Sequence, residues 1–234
     1  MWLLTLACIP SIVHADLSFD GHNRFVMKGQ RLAVALVNDD QDPALAEVSV
    51  DWGEEGRAES PPLAVSSPLV RISPKGRATV ELLYQGQGLP SDRESYLLLN
   101  VLGVPRASDV PNTLQIALRH RFKLFYRPPL KETPDQARAM LSWALSDAGE
   151  GITARNASPY FVTVSDLESL GEDGQRCGAL VDHLMIAPFS SRHLETQACR
   201  PATLRYQVVS DAGNLQAYAA TLVSGAEQHG FAQH

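Results

Sequence analysis

The chain has 234 residues, 44% of them hydrophobic and 20% charged, with a formal net charge of -6. That length exceeds one small β-sandwich of about 100 residues and suits two side by side. The composition is that of an ordinary folded protein, neither disordered nor basic enough to favour a nucleic-acid partner, and beyond the first few residues no apolar run approaches the roughly 20 needed for a membrane-spanning helix.

The N-terminal stretch MWLLTLACIPSIVHA holds a short apolar core ending in Val13-His14-Ala15, the small-x-small pattern cut by signal peptidase. Residues 1–15 therefore read as a signal peptide and Asp16 as the mature start. No Lys or Arg precedes the apolar core, which leaves the true start codon open. Pro10 and the abrupt change to DLSFDGHN argue against a buried N-terminal strand. Removal of this segment takes Cys8 away and leaves Cys177 and Cys199. In an exported chain an even count reads as a disulfide, the alternative being two isolated thiols on different faces; two thiols alone do not complete a zinc site.

Short β-type runs follow: LSFDGHNRFVM, RLAVALVN, AEVSVDW, PLVRI, ATVELLY, SYLLLNV and the long NTLQIALRHRFKLFYRP. Around seven strands in about 110 residues, with Gly, Pro, Asn and Asp at the joints, is the pattern of an immunoglobulin-like sandwich. The prolines of RPPLKETPDQ remove backbone donors and end it. Residues 16–128 are thus expected to form one domain and 129–135 a linker. Beyond the linker ARAMLSWAL fits a helical turn or a strand, whereas GITARNAS, YFVTVSDL, HLMIAPF, ATLRYQVVS and LQAYAATLV read as strands of a second sandwich over 136–226. The polar residues 227–234 are expected to fray.

No spacing for enzyme chemistry is present: there is no HExxH, GxSxG, GxxxxGK or strand-linked GxGxxG. His22, His120, His183 and His193 are scattered, which favours surface or satisfied structural roles. No catalytic residue, metal or cofactor is expected.

The run from Asn112 to Tyr126 is unusual. Extended, it spans about 50 Å, longer than one small sandwich needs, so part of it should protrude or lie at an edge. Leu114, Ile116 and Leu118 fall on one face by alternation, and Arg119, Arg121 and Lys123 on the other.

The ordered set HNRF, SPLVRISP, DRESYLLLNVLGVP, NTLQIALRHRFKLFYRP, SPYFVTV and PFSSRHL resembles the periplasmic pilus chaperones of the chaperone-usher pathway across nearly the whole chain. The resemblance implies an all-β fold of two immunoglobulin-like sandwiches set as a boomerang with a cleft between them. It implies a non-enzymatic periplasmic chaperone that lends a strand to pilin subunits and delivers them to an outer-membrane usher, chaperone–pilin pairing being a known case of strand addition. Leu114, Ile116 and Leu118 would be the donated side chains. Arg24 and Lys123 would anchor the pilin's terminal carboxylate, both being suited to charge-assisted hydrogen bonds. Glu94, Arg127 and Asp211 would form an ion network between the domains, although VSDAG departs from the more usual Asn-Asp-Tyr-Gly stretch. The short connection from LLLNVLGVP to NTLQ resembles the short-loop branch. An exposed edge strand also allows a self-capping dimer or oligomer of the free chain. The competing reading is a two-domain adhesin or structural subunit of a surface fibre.

Overall fold

The computed structural model describes residues 17–54, 57, 59–104, 116–146, 151–196 and 199–233. Residues 1–16, which include the expected signal peptide, and residues 105–115, which include Leu114, lie outside the described residues. The first half forms β1 (Leu17–Ser18), β2 (Arg24–Lys28), β3 (Arg31–Asn38), β4 (Ala44–Trp52), β5 (Leu63–Val65), β6 (Leu69–Ile72), β7 (Arg77–Tyr84), β8 (Ser95–Val104) and β9 (Leu118–Arg127). Then come a short helix α1 (Pro134–Ala139) and β10 (Leu141–Leu145), so ARAMLSWAL is both helical turn and strand. The remaining strands are β11 (Gly151–Asn156), β12 (Val162–Leu170), β13 (Val181–Ile186), β14 (Ser190–Glu195), β15 (Thr203–Val209), β16 (Leu215–Thr221), β17 (Glu227–His229) and β18 (Phe231–Ala232).

Each half is a two-sheet sandwich. In the first, the sheet β1-β3-β7-β5 faces β2-β9-β8-β4-β6; in the second, β14-β11-β10-β17 faces β13-β12-β15-β16-β18. Period-two alternation explains the cores, since Val34 and Leu36 of β3, Val80 and Leu82 of β7, Leu97, Leu99 and Val101 of β8 and Leu124 of β9 point inward together. A separate cluster around Trp143, Ile152, Val164, Ile186 and Leu204 fills the second sandwich. The all-β, two-domain architecture is thus the one expected.

Several local features differ from the sequence reading. The first run is two strands, because the chain turns at Asp20 (φ 50°) and Gly21 (φ 77°), a left-handed pair that Asp and Gly tolerate. It thereby leaves β3, to which β1 pairs, and joins β9 in parallel as β2. The edge strands β5 and β14 escaped the pattern, being short or largely exposed. The helix begins inside the expected linker, started by a capping box in which Thr133 and Gln136 bond each other's backbone N–H. The tail is paired where fraying was expected: β17 bonds β10, β18 bonds β16, and Arg155 reaches Glu227 at 2.8 Å.

In each domain a buried asparagine at a strand end fastens a loop to the core. Asn38 ends β3 with its amide nitrogen near the carbonyls of Asp42, Ile72 and Ser73; Asn156 ends β11 in the same relation to Tyr160, Ile186 and Ala187. These side chains satisfy carbonyls that a turn would otherwise leave unpaired in the interior.

Cys177 and Cys199 form a disulfide, with Cα atoms 5.0 Å apart and a sequence separation of 22. The bridge fastens the turn after β12 to the approach to β15. Replacing both by Ser is expected to destabilise the second domain by about 3 kcal/mol through the larger entropy of the open unfolded chain. The measurement is a urea midpoint; an unchanged midpoint would show that this loop adds nothing to stability.

Candidate functional site

The two sandwiches meet around Arg127, the last residue of β9. Its Nε donates to Glu94 Oε1 at 2.6 Å, and its Nη1 and Nη2 donate to the two oxygens of Asp211 at 2.6 and 2.8 Å. Glu94 belongs to the first sandwich, just before β8, yet its Oε2 accepts the backbone N–H of Phe161 at 2.8 Å and its own N–H donates to Pro159 O at 2.9 Å. Asp211 sits at the tip of the β15–β16 turn. That turn is closed by Gly213 N–H to Ser210 O and by Asn214 N–H to Ser210 Oγ, both at 3.0 Å. Gly213 has φ +82°, and an added Cβ would lie 2.6 Å from the Asn23 side chain of the first domain. Glycine is thus required there both for the turn and for the domain contact. The departure from the usual stretch therefore leaves the carboxylate in reach of Arg127.

Burial pushes the Glu94 carboxyl above its usual range, against the pull of Arg127, while the hydrogen bonds from Arg127 hold Asp211 below its usual range. For Arg127 itself, burial works against the charged form, but the bonds to Asp211 and Glu94 outweigh it and raise the pKa. The guanidinium also lies over the Tyr160 ring, 4.9 Å from its centroid. Beside this network Tyr96, Phe125 and Phe161 form an aromatic cluster across the domain junction, with ring centroids 5.5 to 5.7 Å apart.

Arg24 and Lys123 are directly opposite one another in the parallel pair β2–β9. Both are on the outward face of their sheet, pointing at the second domain. Arg24 donates to Ser210 O at 2.9 Å and Thr163 Oγ1 at 3.3 Å, and its guanidinium lies 5.2 Å from the Phe125 centroid. Lys123 Nζ bonds His183 Nε2 of β13. Burial first, and Arg24 second, push the Lys123 amine down to about 8. Burial also lowers the Arg24 pKa, although Asp211 and Glu94 pull the other way. Among the described residues neither cation has a carboxylate at salt-bridge distance. Like charges held opposite each other and half-buried, with no carboxylate among the described residues at salt-bridge distance, have the chemistry to receive an anion.

The remaining expectation concerns the free strand. β9 pairs with β8 from Leu118 to Tyr126 without a break in register, and with β2 only from Lys123 onward. Among the described residues, Leu118–Phe122 has no strand neighbour on its other edge. Ile116 is 63% exposed and Leu118 47%. Alternation in the sequence puts Lys123 on the face opposite to Ile116 and Leu118, and the client anchor would then face away from the leucines unless twist or a bulge turned it. The register shows neither is needed: His120, Phe122, Leu124 and Tyr126 continue the face of Ile116 and Leu118, while Lys123, Phe125 and Arg127 face the second domain. Arg121 is occupied by Asn100 Oδ1 at 3.2 Å, and Asn100 in turn bonds Asp51. The sequence reading missed Thr163 and His183. Nothing local marks either one, because their partners are 139 and 60 residues away.

Two expectations test this arrangement. Arg127→Ala leaves Glu94 buried without its counter-charge and should cost about 3–5 kcal/mol, read as a fall in the urea midpoint; a midpoint within error of wild type would make the network a surface ornament. For the cation pair, a carboxylate binds the ammonium form, so the sign follows from a folded pKa below that of free lysine. Acetate affinity should be full at pH 6–7, fall as pH rises through the Lys123 pKa of about 8, and be about tenfold weaker at pH 9 than at pH 7. Chemical-shift titrations would measure this, and an affinity flat to pH 9 would exclude Lys123 from the anion site.

The profile described as "Pili and flagellar-assembly chaperone, PapD N-terminal domain" matches residues 24–131, and that described as "Pili assembly chaperone PapD, C-terminal domain" matches residues 136–220. The chaperone protein FimB/FhaD of Bordetella pertussis (strain Tohama I) is 32% identical over 232 residues, covering 93% of this chain and 92% of that protein. The probable fimbrial chaperone YadV of Escherichia coli (strain K12) is 32% identical over 230 residues, covering 90% and 91%. The crystal structure of the Pseudomonas aeruginosa CupB2 chaperone superimposes with a TM-score of 0.71 at 28% identity, covering 87% of this chain and 99% of that one. The two sandwiches, matched over nearly their whole length, place this chain in the PapD family of non-enzymatic pilus-assembly chaperones.

Proposed function

We propose that this chain works in the periplasm, where it binds pilin subunits, completes each by lending it the outer part of β9, and passes it to an outer-membrane usher. The observation that carries this reading is that, among the described residues, Leu118–Phe122 of β9 pairs on one edge, with exposed Leu118 and Ile116 beside it and the Arg24–Lys123 pair at its inner end.

A pilin of this pathway is an incomplete sandwich with a groove where its last strand is missing. Backbone N–H and C=O groups on the free edge of β9 pair with the rim of that groove, and the face bearing Leu114, Ile116 and Leu118 supplies the missing core. Three such side chains, fully buried, contribute on the order of 5 kcal/mol or more before ordering costs are subtracted. Backbone pairing alone permits register slips by two residues. Anchoring the client's terminal carboxylate between Arg24 and Lys123 fixes the register at one end. Glu94, Arg127 and Asp211 hold the second domain at the angle that closes the site. In the free chain the same edge is available to a second copy, which protects it from indiscriminate pairing. Residues 1–15 act as the export signal. Membership of a chaperone family disfavours the alternative of a structural subunit or adhesin.

The test is co-expression with candidate pilins, followed by purification from periplasmic extract of wild type and of Lys123→Ala. The expected result is an equimolar complex with wild type and none with the variant, whose thermal midpoint stays unchanged. Equal recovery of the pilin with both proteins would overturn the carboxylate role, and recovery of this chain from sheared surface fibres would favour the structural-subunit reading.

A further inference from the structure

We propose that His183 positions the Lys123 ammonium in the anion site, so that the second domain holds both cations of the anchor. The inference rests on the reading of Arg24 and Lys123 as a carboxylate anchor and adds a residue that no local pattern marks.

Lys123 Nζ and His183 Nε2 are hydrogen-bonded across the domain junction. An ammonium has donors only, so Nε2 is the acceptor and the ring proton resides on Nδ1. His183 lies on β13 opposite Ser165 of β12, the strand whose Thr163 accepts from Arg24. Adjacent strands of one sheet thus present one acceptor to each cation: Thr163 Oγ1 to the guanidinium and His183 Nε2 to the ammonium. A lysine ammonium at the end of four methylene groups is otherwise a poorly aimed charge, repelled here by Arg24 opposite.

The chemistry of the acceptor matters. A carboxylate in this place would also orient Lys123 but would cancel the charge meant for the client. A neutral imidazole orients the ammonium and leaves its charge available. Burial, followed by the charges of Lys123 and Arg24, lowers the His183 pKa below the usual histidine value, so the ring stays neutral at pH 7.

The decisive experiment is nitrogen-15 NMR of the two-domain chain at pH 7. In wild type, His183 should show a protonated Nδ1 and an unprotonated, hydrogen-bonded Nε2; in Lys123→Met it should shift towards the commoner Nε2–H form. Acetate then serves as a carboxylate probe in chemical-shift titrations. His183→Ala should weaken acetate binding about fivefold, the loss expected for one positioning hydrogen bond, and His183→Gln, which keeps an acceptor, should recover most of it. An Nε2–H ring in wild type, or acetate affinity unchanged in His183→Ala, would overturn the role of His183 while leaving the Arg24–Lys123 anchor standing. Acetate affinity that is the same in wild type and Lys123→Met would instead remove the anchor and this proposal with it.

Discussion

Arg127 and the two carboxylates it joins fix the relation on which the rest of the site depends. One guanidinium uses three of its nitrogens on Glu94 and Asp211, and Glu94 uses its second oxygen on the backbone of the other sandwich. Without such a joint the sandwiches would share the connection, the aromatic contacts and the single bonds of Arg24 and Lys123 to the second domain, none of which locks an angle as a bidentate ion pair does. The network gains little net stability, because burying Glu94 costs much of what its attraction to Arg127 returns. Its contribution is directional: a bidentate fork tolerates little rotation, so the second domain presents Thr163, His183 and Ser210 to the cations of the first.

With that angle set, a single strand serves two purposes by its two faces. The even-numbered side chains of β9 fill the core of their own domain near Tyr126 and run out to exposed positions near Leu118. The odd-numbered ones carry Lys123, Phe125 and Arg127 toward the second domain. Since no bulge interrupts the pairing with β8, the spacing between the free apolar edge and the cation pair is fixed by strand geometry at about 3.3 Å per residue. In the proposed function, a client strand held at its carboxylate end would be measured against exposed Ile116 and Leu118 without further adjustment.

The cation pair is a local conflict within the chain's own fold. Arg24 and Lys123 face each other across a parallel ladder, partly desolvated, and the Lys123 amine is driven down to about 8 as a result. A sequence optimised for stability alone would place a carboxylate there or remove one charge. Retaining both is an electrostatic cost that the proposed anchor role accounts for, the missing negative charge then coming from the client.

The strand pattern was legible from sequence because side-chain alternation is local: RLAVALVN is β3 in full, and the cores of both sandwiches follow from it. The disulfide was the favoured reading of the two cysteines left after residues 1–15, and Arg24, Lys123, Glu94, Arg127 and Asp211 could be named from family resemblance, which implied the grouping of the last three but not its geometry. The short edge strands β5 and β14 carry little alternation and were missed. The paired tail was misread, since polarity at β17 and β18 says nothing about a neighbouring edge in need of a strand. Only the tertiary structure decided how Asp211 reaches Arg127 from a departing turn, that Lys123 turns to His183, and that among the described residues Leu118–Phe122 of β9 pairs on one edge. Each of these is a meeting of residues far apart in the chain, fixed by how two sandwiches approach one another. That approach is set by hydrogen bonds and packing summed over both domains, which no local window of sequence contains.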